Sequence, residues 1–133
     1  MSIQKTITPI NNTVYLEREL ASDSQINSVI EKGSTGFKIW KKTSLDDRIS
    51  IVNKFIDNLI DLKDEISKEI CWQIGRPISQ CVGELRGFEE RSRHMVEIAR
   101  ESLQNLPATQ NDEFDNYIYK SPLGIIFVMA PWN

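Results

Sequence analysis

The chain has 133 residues, of which 40% are hydrophobic and 26% charged, with a formal charge of −3. The length predicts one domain, the composition excludes a disordered chain, and the mild acidic excess argues against a nucleic-acid partner. No apolar run approaches the roughly 20 residues a membrane-spanning helix needs. Met1 to Ile10 lacks the pattern of a secretory signal. Cys71 and Cys81, ten apart in helix-like sequence, suit neither a disulfide framework nor a metal pair. The expectation is a cytoplasmic protein with no membrane partner.

Pro9 and the Asn11-Asn12 pair signal a turn, and Val14, Tyr15 and Leu16 suit a short strand. Ser22-Asp-Ser-Gln25 fits a capping box, in which each end residue satisfies an orphan backbone N–H of the other. A helix follows, with Ile26, Val29, Ile30, Gly33, Phe37 and Trp40 at helical spacing. Gly33 and Gly36 weaken it by roughly 1 kcal/mol each relative to Ala and let another element come close.

A second cap, Ser44-Leu-Asp-Asp47, opens a long helix whose apolar stripe runs from Leu45 through Ile56, Leu62 and Ile66 to Ile74. Gly75 supplies the stop, and Arg76-Pro77 prevents continuation. The third predicted helix spans about Ile78 to Leu103, with Val82, Leu85, Phe88, Met95, Ile98 and Ala99 facing inward. Gly83 and Gly87, four apart, suggest close packing on that helix. Residues 106–113 read as a polar linker. Asn116 to Lys120 reads as a strand and residues 121–124 as a bend. Gly124 to Ala130 is a continuous branched run that suits a strand buried on both faces. Such a strand needs neighbours on either side, and no second run of that kind occurs.

Most chemistry-bearing residues have a structural reading. His94 is the one histidine and suits a solvated position on the third helix. Cys71 and Cys81 look like small packing residues unless a base lowers their thiol pKa. Asp46-Asp47 and Glu89-Glu90 are adjacent on helices, where neighbours do not face each other. No phosphate-binding glycine motif is present. Asn133 differs, because a polar amide at the carboxyl end of a buried strand stands where open α/β sheets bind ligands. Its uncharged N–H donor suits a developing oxyanion. A simple turn residue is the competing reading.

Ser121-Pro-Leu-Gly-Ile-Ile-Phe-Val-Met-Ala-Pro-Trp-Asn133 resembles the Pro-Leu-Gly…Pro-Trp-Asn segment of the NAD(P)-dependent aldehyde dehydrogenase superfamily. Trp40, Arg48, Gly75-Arg76-Pro77 and Gly83-Glu84 agree with it, so the likeness covers nearly the whole chain. Tyr15-Leu-Glu-Arg18 and Trp72 to Pro77 are similar to a semialdehyde dehydrogenase-like bacterial branch. The resemblance implies an α/β fold, the N-terminal part of a Rossmann-type domain with three helices, a few strands and an incomplete sheet. It divides the chain into an extended segment (1–21), a three-helix part of the cofactor-binding domain (22–105), a linker with an oligomerisation-arm strand (106–123), and the first buried strand of the cofactor-binding sheet (124–133). A homo-oligomeric parent enzyme is implied.

In such enzymes a Cys thiolate attacks the aldehyde, an Asn amide and a backbone N–H hold the oxyanion, hydride passes to NAD or NADP, and a Glu-activated water hydrolyses the thioester. By motif, Asn133 matches the oxyanion-holding Asn, and Met129, Ala130, Pro131 and Trp132 match the strand end lining the cofactor site. The family's nucleophile and general base lie downstream of this motif, so Cys71 and Cys81 do not map onto them. The expectation is an N-terminal fragment of an aldehyde dehydrogenase, inactive alone. The rival expectation is a non-catalytic helical interaction module that pairs with a complete aldehyde dehydrogenase.

Overall fold

The computed structural model describes residues 2–110 and 113–130. Among them the order is β1 (Ile3–Ile7), β2 (Val14–Glu19), α1 (Asp23–Trp40), α2 (Leu45–Asp61), α3 (Lys63–Ile74), α4 (Ile78–Ser102), β3 (Leu106–Gln110) and β4 (Asp115–Ile118). The strands form two separate antiparallel pairs, β1 with β2 and β3 with β4.

The first hairpin adds a strand, β1, that its sequence does not announce. Its residues alternate too weakly to read as half-buried, and four of the five are exposed. The turn is more definite. Thr8 N–H donates to the Thr13 carbonyl at 3.0 Å and Asn12 N–H to the Thr8 carbonyl at 2.9 Å. Asn12 takes a φ of 60°, a region that Asn tolerates better than most residues.

Both predicted caps are present. Ser22 Oγ accepts from Gln25 N–H at 3.3 Å while Ser22 N–H donates to Gln25 Oε1 at 2.8 Å, and Ser44 Oγ accepts from Asp47 N–H at 3.1 Å. The single helix expected from Leu45 to Ile74 is two helices, so the described residues form four rather than three. The break falls at Leu62, with φ −87° and ψ 10°. Its N–H bonds the Leu59 carbonyl at 3.2 Å, a tightened last turn. No Gly or Pro marks the break, and the apolar stripe runs through it; Asp64 and Glu65 in the first turn of α3 suit the new helix N-terminus.

The core lies where α2 and α3 pack on α4. Ile56, Cys81 and Leu85 are its buried apolar side chains among the described residues. Phe55 meets Phe88 edge-on at 6.3 Å, and Arg93 on α4 reaches Asp57 on α2 and Glu89 on its own helix, both at 2.8 Å. Arg100 on α4 also pairs with Asp46 on α2. Exposed pairs of this kind contribute about 0–1 kcal/mol each, so they orient helices that apolar burial holds together. Of the residues expected to face inward on α4, Leu85 is buried and Phe88, Ile98 and Ala99 are half-buried, but Val82 and Met95 are exposed. Gly83 and Gly87 also face open space, so no close packing occurs there within the chain. One bundle face is covered and the other is not.

Gly75 ends α3 in the left-handed region with φ 75°, as its position predicts. It also has a second role. A Cβ at residue 75 would lie 2.7 Å from Pro9 Cγ, so the turn of the first hairpin rests against the α3–α4 joint. Tyr15 on β2 continues that contact. Its ring stacks on Trp72 at 5.7 Å, and its hydroxyl donates to Glu69 Oε1 at 2.8 Å.

The polar linker expected after α4 is instead largely strand β3, pairing Leu106 with Ile118 and Pro107 with Tyr117. Lys120 Nζ donates to the Ser102 carbonyl at 2.6 Å, placing a cation at the negative end of α4.

Replacing Gly75 with Ala should destabilise the chain by about 1–3 kcal/mol, because a left-handed φ and the Pro9 contact both oppose a Cβ; chemical denaturation measures this. The Gln73 amide and then the Tyr15 hydroxyl hold the Glu69 carboxyl below the usual glutamate range. The hairpin contact is therefore complete above the ordinary glutamate pKa and weakens as pH falls through the lowered value. Carbon-detected NMR titration should find Glu69 titrating below the usual glutamate range, and Tyr15→Phe should move it upward.

Candidate functional site

The candidate site sits at the carboxyl end of segment 124–130, and α1 is the element that positions that segment. The Ser22 capping box starts α1, and the helical repeat brings Ile26, Val29, Ile30 and Gly33 along one groove of about 660 Å³ with Ile125, Ile126 and Phe127. Gly33 is the point of closest approach: a Cβ there would lie 3.3 Å from Ile125 Cδ1. The close approach expected of the α1 glycines thus occurs at Gly33, while Gly36 faces open space. Gly124, at φ 102°, turns the chain into the segment through a region that glycine alone adopts at low cost.

The segment differs from the doubly buried strand expected of it. Residues 124–130 carry no strand assignment, and Ile126, Phe127, Val128 and Met129 are 63%, 83%, 73% and 78% exposed. An extended backbone becomes a buried strand only where neighbouring strands take its N–H and C=O groups, and neither two-stranded sheet includes it. Of the proposed cofactor-lining residues, Met129 and Ala130 are exposed and offer apolar surface. Pro131, Trp132 and the proposed catalytic Asn133 lie outside the described residues. Met129 and Ala130 supply no polar side chain for a nucleotide phosphate.

The other chemistry-bearing residues take structural positions. Cys81 is fully buried, and its thiol donates to the Pro77 carbonyl at 3.4 Å. Cys71 is half-buried on α3. His94 is exposed, with Glu97 3.9 Å away. Asp47 accepts from Ser44 Oγ at 2.6 Å within the cap; Asp46 and Glu89 hold arginines. No group of three or more metal-ligating side chains occurs among the described residues, and no described helix is long and apolar enough to cross a membrane.

Two arrangements escape sequence reasoning. The Tyr15–Glu69–Gln73 chain of hydrogen bonds joins residues 54 positions apart, and one cleft between α2 and α4 is bordered by both Arg48 and Arg91. Helical periodicity reports which residues share a face of one helix, not which faces meet.

Four helices flanked by short antiparallel pairs, with an extended segment lying along α1, define an α/β unit. The sequence matches the Aldehyde dehydrogenase family over residues 2–133, and the chain belongs to that family, corresponding to an N-terminal portion of it. A mitochondrial succinate-semialdehyde dehydrogenase of Rattus norvegicus is 26% identical, the match covering 82% of this chain and 21% of that protein. The fold superposes on a NAD-dependent benzaldehyde dehydrogenase from Corynebacterium glutamicum with a TM-score of 0.77 at 18% identity, covering 89% of this chain and 26% of that one. Succinic semialdehyde dehydrogenase from Streptococcus pyogenes, solved in complex with NADP+, gives a TM-score of 0.76 at 21% identity, covering 85% and 25%. The chain thus spans about a quarter of the length of these relatives.

In the 133-residue chain, the amides of residues 125–129 should exchange with deuterium before those around Leu85 on α4, because exposed segments open at little cost. Hydrogen exchange resolved by mass spectrometry or NMR tests this.

Proposed function

We propose that this chain supplies the oxyanion amide and one cofactor wall of an NAD(P)-dependent aldehyde dehydrogenase, which oxidises an aldehyde to a carboxylate through a cysteine thioester. The observation that carries the reading is Pro122-Leu-Gly124 followed by Pro131-Trp-Asn133, at the end of a chain that matches the family over residues 2–133. Asn133 is the catalytic residue. Its side-chain amide carries no charge, so it favours the tetrahedral oxyanion over the neutral carbonyl by hydrogen bonding alone, and it leaves the protonation of neighbouring groups undisturbed.

Met129, Ala130, Pro131 and Trp132 form the wall against which NAD or NADP lies in the complete enzyme. Residues 22–105 belong to the cofactor-binding domain, 106–123 to a linker and oligomerisation arm, and 124–133 to the first strand of the cofactor sheet. The names of the rat and Streptococcus relatives support a semialdehyde as substrate. The net charge of −3 argues against a nucleic-acid partner, and the family likeness favours a cytoplasmic, homo-oligomeric parent enzyme without a membrane partner.

The test has two arms. Purified as 133 residues, the chain should form no NADH or NADPH from succinic semialdehyde, since neither Cys71 nor Cys81 matches the family's nucleophile. Residues 121–133 placed in the corresponding segment of the Streptococcus pyogenes enzyme should preserve turnover, and Asn133→Ala in that chimera should lower kcat on the order of 100-fold or more. Turnover by the short chain, or an Ala chimera as fast as its parent, would refute the assignment.

A further inference from the structure

A cleft of about 500 Å³ lies between α2 and α4, beside the end of α1. Trp40, Ile49, Met95 and Ala99 give it apolar walls, and Arg48 and Arg91 both border it. These two arginines differ from the others that carry ion pairs. Arg76, Arg93 and Arg100 each hold a carboxylate, whereas the guanidinium groups of Arg48 and Arg91 have no hydrogen-bond or ion-pair partner among the described residues. The Nε of Arg48 is inaccessible to solvent and unpartnered. The Nε of Arg76 is in the same state although Arg76 holds Glu84, so what sets Arg48 and Arg91 apart is that both border the cleft without a carboxylate of their own, and a charged donor gains from an acceptor there.

We propose that this cleft binds an aliphatic monocarboxylate. The two guanidinium groups take the carboxylate oxygens, a geometry that suits their planar forks better than an ammonium would, and the alkyl chain lies along Ile49, Met95, Ala99 and Trp40. The volume is within the usual range for small-molecule sites, about 300–1,000 Å³. Charge selects the head and the walls select the tail. A free phosphate satisfies the arginines but leaves the apolar walls wet, and an alcohol covers the walls but leaves the guanidinium groups of Arg48 and Arg91 without a charged acceptor. None of residues 124–130 borders the cleft, so the proposal stands apart from the dehydrogenase reading.

Titration of the full 133-residue chain with sodium octanoate, followed by calorimetry and amide NMR, tests it. Expected are saturable one-to-one binding, shift changes centred on residues 48, 91 and 95–99, and at least tenfold weaker binding of both octanol and acetate. Arg91→Gln should weaken octanoate at least tenfold with an unchanged circular dichroism spectrum. Arg48→Gln should do the same, and because Arg91 is exposed, its variant keeps the test open if Arg48→Gln fails to fold. Four results would overturn the proposal: no saturation, octanol binding as tightly as octanoate, octanoate shifts mapping to the groove beside Ile125 instead, or self-association of the chain that Arg91→Gln abolishes and octanoate does not compete with, which would make a second copy's carboxylate the occupant.

Discussion

Helix α4 is the surface on which both α2 and α3 are packed, and the rest of the chain takes its position from that arrangement. Burial is concentrated where the three helices meet, at Ile56, Cys81 and Leu85, and hydrophobic stabilisation scales with the apolar area removed from water. The chain's remaining apolar side chains are largely at the surface: Val29, Ile39, Phe55, Met95 and the run from Ile126 to Met129 all stand beyond half exposure. A thin core holds a frame whose other faces are apolar and uncovered. This is the pattern of a unit whose helices have one satisfied face and one that remains available.

The parts of the fold legible in the sequence are those set by local chemistry. Ser22 with Gln25, Ser44 with Asp47, and Gly75 before Arg76-Pro77 each fix a helix end through bonds or torsions confined to a few neighbouring residues. The parts that were not legible depend on distant neighbours. The break at Leu62 carries no Gly or Pro, and it appears where α3 takes its own packing against α4. β1 and β3 are strands because β2 and β4 accept their hydrogen bonds, and neither has an alternation that would announce it. Segment 124–130 shows the converse case. Its composition suits a central strand, but no neighbour pairs with it among the described residues, so it lies extended and exposed. Composition predicts how an element is buried only when the partners that bury it are present.

The candidate site was legible for a different reason. Periodicity and burial did not mark Met129 to Asn133; a short ordered motif did, and the match to the family extends over residues 2–133. What the structure adds is how that motif is approached. α1 is anchored by its cap, Gly33 gives up a side chain so that Ile125 can come close, and Gly124 turns the backbone into the segment. The cap and Gly33 lie upstream of the motif and Gly124 within it, and together they set the course of residues 124–130.

The stacking of Tyr15 on Trp72, with rings 5.7 Å apart and 6° from parallel, places a phenol donor within energy-transfer range of an indole acceptor across the only described contact between the first hairpin and α3 that joins two aromatic rings. The hydroxyl is simultaneously engaged by Glu69, a carboxylate that quenches phenol emission when hydrogen-bonded. The hairpin thus carries its own optical label. Its docking on the helical frame can be followed in real time by intrinsic emission, without adding a dye, at the one place where the amino terminus touches the bundle through a matched pair of chromophores.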